Sequence, residues 1–228
     1  MSQTLSQDII NMMTGPYCYC YAYGPALLLT FDNITNASNL VTNYTSLLAW
    51  NTFFDFPTNG NPFTRLMIQG NTVKLIGGSN IHLRDYLFQV GKTGGNLVSI
   101  IDTANCITST GSGSLWLCSL LTTVSLPAAT SIADLTFFND TALVSVNVPV
   151  TTFIGNECFN GNSLLKTVYA PLCITLGTTT DSNNIFTNIY SNPTITVSNV
   201  LQTCDSGNPD GDLINLLTFN PLSIINYI

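Results

Sequence analysis

The chain has 228 residues, a net charge of −7 and a pI near 4.1. Charged residues make up 7% of it, against ~25% in typical soluble domains, and Asn, Thr and Ser fill the gap at about a third of the sequence. Its five cations, Arg65, Lys74, Arg84, Lys92 and Lys166, form no cluster, which excludes a phosphate-neutralising surface for DNA or RNA.

A surface solvated by neutral hydrogen-bonding groups suits structural and adhesion proteins better than cytosolic enzymes. The length allows one large domain or two modest ones. Met1 to Ile10, MSQTLSQDII, lacks a basic segment followed by an apolar one, so no secretory signal is expected. Export by assembly and lysis fits such a start. Ile9 to Phe31 carries no charge, but Gly15-Pro16 and Gly24-Pro25 break helices, and no membrane span is expected there.

Between those breaks, Tyr17, Tyr19, Tyr21 and Tyr23 alternate with period two and predict a strand with four tyrosines on one face. They are candidate interaction residues, for subunit packing first and for a glycan second. No cation precedes Arg65, which marks the first 64 residues as a segment packed against partner subunits. Ala26–Phe31 reads as a short apolar element. Asn33–Leu48 is loosely periodic and reads as helical, and Trp50–Phe63 is aromatic and turn-rich. Residues 65–69 and 72–76, flanking Gly70-Asn71, read as a hairpin. Residues 1–96 are therefore expected to form a β-rich anchoring and oligomerisation region.

From residue 97 a repeat takes over. Leu121, Leu143 and Leu165 are spaced by 22 residues, as are Val124, Val146 and Val168, and Pro127, Pro149 and Pro171. Ile132, Ile154 and Leu176 keep the interval. Phe137 and Phe159 do too, and Phe186 takes their place after an insertion. Each Leu-x-x-Val-x-[Leu/Val/Ala]-Pro reads as a short strand with inward apolar residues, ended by a proline that cannot donate to a ladder. One unit cannot bury its apolar face alone, so the units must stack. Leu97 starts a degenerate unit and Thr194–Val197 adds a terminal strand, giving four to five rungs over 97–200. Residues 201–228 are expected to cap the stack, with Asp212 as N-cap of a helix over Leu213–Leu217. The fold class is thus mainly β: a β-rich N-terminal region, then a short solenoid over 97–228 with a C-terminal cap.

The unit Leu-x-x-Val-x-x-Pro, with the later Ile and Phe, resembles the BspA-type leucine-rich repeat over residues 97–200. Asp205–Asp212 is similar to the end segment of phage-encoded members. The family's glycine after Ile stands at Gly155 and Gly177, while Ala133 replaces it in the unit from Leu121. The resemblance implies binding and scaffolding in surface adhesins and phage virion proteins, and it supplies no catalytic residue.

Chemistry-bearing constellations are sparse. His82 is the only histidine and Glu157 the only glutamate, and neither sits in a nucleophile or acid–base motif. Asp205, Asp210 and Asp212 share a loop with Gly211 and are candidates for calcium, but Pro209 intervenes and no terminal Glu follows, which favours a turn and helix cap. The seven cysteines are odd in number and irregularly spaced, and read as small core residues. No cofactor is expected. The sequence points to a non-enzymatic phage virion protein, a fibre, tip or decoration subunit. Its partners would be other virion proteins, its own copies, and a host-surface glycan or protein. A bacterial surface adhesin is the alternative, and a polysaccharide-active virion enzyme stands third because such enzymes present paired carboxylates.

Overall fold

In the computed structural model, residues 25–33, 51–55, 58–89, 96–178 and 184–228 are described. The strand expected over Tyr17–Tyr23 lies outside them, as do Cys18, Cys20 and most of the helix expected over 33–48.

Three strands near the start are antiparallel. β1 (Leu27–Phe31) lies beside β3 (Thr72–Ile76), and β2 (Arg65–Gln69) closes the expected hairpin with β3. β4 (Ile81–Leu83) then opens a winding path. β5 (Leu97–Asp102) pairs antiparallel with β1 on one side and parallel with β7 (Thr123–Ser125) on the other. From there the strands alternate between two parallel ladders. β7, β9 (Ser145–Asn147), β11 (Thr167–Ala170), β13 (Thr194–Val197) and β14 (Ile224–Tyr227) continue the first. β4, β6 (Ile107–Thr110), β8 (Ser131–Ile132), β10 (Phe153–Ile154) and β12 (Thr175–Leu176) form the second. The result is a nine-stranded sheet, ordered β14-β13-β11-β9-β7-β5-β1-β3-β2, and a five-stranded sheet. Together they make a mainly β fold built on a solenoid of about four turns.

The 22-residue repeat is visible as register. Val124 pairs with Val146 and Val146 with Val168, and Ile154 with Ile132 and Leu176. All of these are buried, with Leu121, Leu143 and Leu165, and with Leu126, Val148 and Ala170 before the three prolines. Each proline opens a turn closed by an i to i+3 bond, as from Ala129 N to Leu126 O at 3.1 Å. The second sheet has no counterpart in the sequence reading, because three of its five strands have two residues, too short for a period-two pattern.

The corner after the second sheet is held by another ladder. Phe137 N donates to Cys158 O (3.1 Å) and Phe159 N to Ile185 O (3.0 Å), which stacks Phe137, Phe159 and Phe186 in one column. Adjacent rings lie 5.4 and 5.5 Å apart, nearly parallel. To aim alternate N–H groups along the stack, each coil uses two left-handed residues four apart: Leu135 with Asn139, Glu157 with Gly161, Asn184 with Asn188. Leu and Glu there pay roughly 1–2 kcal/mol, a local cost that the ladder overrides.

Gly155, at the family's glycine position, serves close packing rather than a left-handed turn. It is absent from the left-handed positions, and a Cβ there would lie 2.3 Å from Asp134 N. Close approach of the preceding coil requires it.

At the far end the helix runs Gly211–Phe219, longer than expected, and its N-cap is Asp210, not Asp212. Asp210 Oδ1 accepts from Asp212 N at 3.0 Å. Asp212 Oδ1 instead accepts from Ile185 N at 3.1 Å and ties the helix to the inserted coil. Replacing Asp210 by Ala should cost about 1 kcal/mol in urea unfolding near pH 4, and replacing it by Asn very little at that pH, since both Asp and Asn cap well.

Candidate interaction surface

The outer face of the nine-stranded sheet follows from the x positions of the repeat. Each strand from β7 to β13 turns its central Val or Ile inward, so the residues on either side face out. Register aligns them in two columns: Thr123, Ser145, Thr167 and Thr194 in one, Ser125, Asn147, Tyr169 and Thr196 in the other. Rungs are ~4.8 Å apart, the ordinary strand spacing. None of the eight is charged. Neighbours bond along the stack, Asn147 Nδ2 to Ser125 Oγ at 3.0 Å and Thr167 Oγ1 with Ser145 Oγ at 3.0 Å. Such ties hold the hydroxyls and amides in fixed positions. Tyr169 stands 44% exposed among them, an aromatic ring on a neutral polar plane. A face of this kind can hydrogen-bond and stack on uncharged ligands with little dependence on salt. Tyr169 and its neighbours are not singled out by the sequence, where their only sign is that the positions on either side of each inward Val or Ile are uncharged.

The sequence-predicted residues do not converge on a site. His82 is exposed on β4, with Nδ1 2.8 Å from Ser109 Oγ. Glu157 is half-buried in a later coil and accepts from Asn160 Nδ2 at 3.3 Å. Asp210 and Asp212 are each 2% exposed and are occupied in holding the helix, while Asp205 bridges Asn208 in the preceding turn. Among the described residues, no group of three His, Cys, Asp or Glu is placed to hold a metal ion. Cys106, Cys118, Cys158 and Cys173 are free and buried, consistent with core packing. Burial raises their thiol pKa values, so thiolate chemistry is suppressed. Tyr17, Tyr19, Tyr21 and Tyr23 lie outside the described residues.

Asp210 carries a pH dependence. Burial, and then the Asp212 charge, push its carboxyl up to about 6, against the pull of the helix N–H groups. A carboxyl raised on folding is harmless below its ordinary pKa near 3.8 and costs stability as pH climbs towards 6. The fall in stability between about pH 4 and 6 should therefore be smaller in Asp210→Asn, measured by urea unfolding at both pH values.

Among the described residues, no helix is long and apolar enough to cross a membrane. Neither protein-family models, nor characterised proteins, nor solved structures give a match to this chain.

Proposed function

We propose that the chain is a non-enzymatic phage virion protein of the leucine-rich-repeat type, a fibre, tip or decoration subunit that contributes to host-surface attachment. The observation that carries this reading is the sheet face of uncharged, hydrogen-bonded residues around Tyr169. Such a face is suited to a neutral glycan or to another subunit. The N-terminal region anchors the subunit to the particle, residues 201–228 cap the stack, and the subunit assembles with its own copies.

Immunogold electron microscopy of intact particles, with antibody to this chain, tests the proposal. Label on fibres or a tip supports attachment, and even label over the shell makes it a decoration protein. Label confined to a bacterial envelope overturns the reading in favour of a cell-surface adhesin. The anchoring role is tested separately. Deleting residues 1–24 removes no described strand, whereas a deletion reaching residue 60 would remove β1 from between β5 and β3. The shorter deletion should abolish incorporation into particles while the thermal melt is retained.

A further inference from the structure

Among the described residues β14 ends the nine-stranded sheet, with β13 as its one neighbour in it. Ile224 N donates to Pro193 O, Ile228 N to Val197 O, and Asn199 N to Ile228 O, each at 3.0 Å. With the regular parallel register from Thr194↔Ile224 to Val197↔Tyr227, these bonds turn the backbone groups of 224, 226 and 228 towards β13. Strand alternation then directs the N–H and C=O of Ile225 and Tyr227 out from the edge.

Sheet edges are ordinarily protected by charge, proline or a bulge. This one has none of them. Residues 213–228 contain no charged side chain, β14 contains no proline, and its register has no shift. The opposite edge, β2, carries Arg65. Ile224 and Ile228, on either side of the exposed Asn226, are 56% and 60% exposed, and Phe219 and Leu222, which precede β14 in the chain, are 79% and 77% exposed. These four expose on the order of 500 Å² per copy, the larger part of the ~800 Å² per partner in a stable interface.

We propose that two copies of this chain pair through β14, antiparallel, with the two-fold axis at Asn226. In that register Ile225 lies opposite Tyr227 of the other copy. Both have outward backbone groups, so each pair exchanges two N–H···O bonds. Ile224 meets Ile228 on the exposed face, apolar against apolar, and the two Asn226 residues meet on the axis. In an isologous contact residue i meets j and j meets i, so the Ile-x-Asn-x-Ile pattern sets Ile224 against Ile228 on both sides of the axis. A head-to-tail contact with β2 would instead set Arg65 beside an apolar edge and leave both ends of the assembly open. The pairing deepens the assembly half of the proposed function by naming its surface and its partner.

Sedimentation of the full chain over a hundredfold range of concentration tests it. The expected result is a closed dimer. Asn226 is exposed, so charge there leaves the monomer folded, as a thermal melt checks. Asn226→Lys and Asn226→Asp should each weaken the dimer at least tenfold, because like charges meet on the axis, and an equimolar mixture should restore a heterodimer. Facing residues at a non-hydrogen-bonded pair are close enough for a disulfide, so Asn226→Cys should cross-link under mild oxidation. A monomer at every concentration, an open polymer, or a dimer indifferent to Asn226→Lys would overturn the contact. A monomeric chain that still labels particles would overturn it while leaving the proposed function standing.

Discussion

Replacing Phe159 by Ala should cost about 3–5 kcal/mol, the usual range for a buried Phe truncation, and should lower the melting temperature by roughly 10 °C. Phe159 is fully buried between the rings of Phe137 and Phe186, so its removal opens a cavity in the middle of the column. In a stacked fold each coil contacts only its neighbours, so the loss falls on both interfaces of one coil. Phe159→Leu keeps most of the volume and should cost less than ~1.5 kcal/mol. The contrasting variant is Phe138→Ala. Phe138 is half-buried on the outer side of the corner, with its ring edge-on to Trp116 at 5.9 Å. Its loss should be well under half that of Phe159→Ala. Urea unfolding of the three variants checks the column directly, and equal losses for Phe138 and Phe159 would mean that the register of the corner is wrong.

How much of this was legible follows from the physics of each part. The inward Leu, Val and Pro positions were plain, because stacking forces the same side-chain volume to recur every 22 residues, and the buried Val124, Val146 and Val168 stand in register as the interval requires. The hairpin at 65–76 was legible from its Gly70-Asn71 turn, as was β13 from its alternation. The second sheet and the corner ladder were not. Three of the sheet's five strands are two residues long, and two of the left-handed positions are filled by Leu135 and Glu157, which carry no turn signal. The shared sheet was equally hidden. β1 inserts between β5 and β3, a pairing over about 70 residues of sequence that no local pattern announces, so residues on both sides of position 96 contribute to one core. The interaction face was half legible. Its small polar residues are visible as the x positions, but only strand register converts them into two columns around Tyr169.

The same stacking rule produces the second large prediction, at Asp140. Cys118, Asp140 and Asn162 follow at 22-residue intervals and are all fully buried. Asp140 Oδ1 accepts from Cys118 N at 2.7 Å, and Asp140 N donates to Asn162 Oδ1 at 3.0 Å, while Asp140 Oδ2 has no hydrogen-bond partner. The titratable groups that feel the carboxyl's charge include the thiols of Cys118 and Cys158, both pushed up by burial and then by Asp140 itself, and among the described residues no cation acts on it. Burial raises the Asp140 carboxyl well above the ordinary range, and the Cys118 N–H offsets only part of that. Below about pH 4 the carboxyl is protonated in both the folded and unfolded chains and costs nothing. As pH rises, the unfolded chain releases its proton and the folded chain does not, so stability falls by about 1.4 kcal/mol per pH unit until the folded group ionises. Asp140→Asn keeps the acceptor for Cys118 N and removes the titration. Its stability should be close to that of the parent chain near pH 4 and exceed it by a margin that widens as pH rises, until the folded carboxyl ionises. Asp140→Ala should instead be destabilised at pH 4, by roughly 1–3 kcal/mol for the Cys118 N–H left unpaired. Urea unfolding of the three chains from pH 4 to 7 decides it: parallel curves for the parent and Asp140→Asn would mean that the carboxyl is ionised in place, and that water or a counter-ion reaches the corner of the stack.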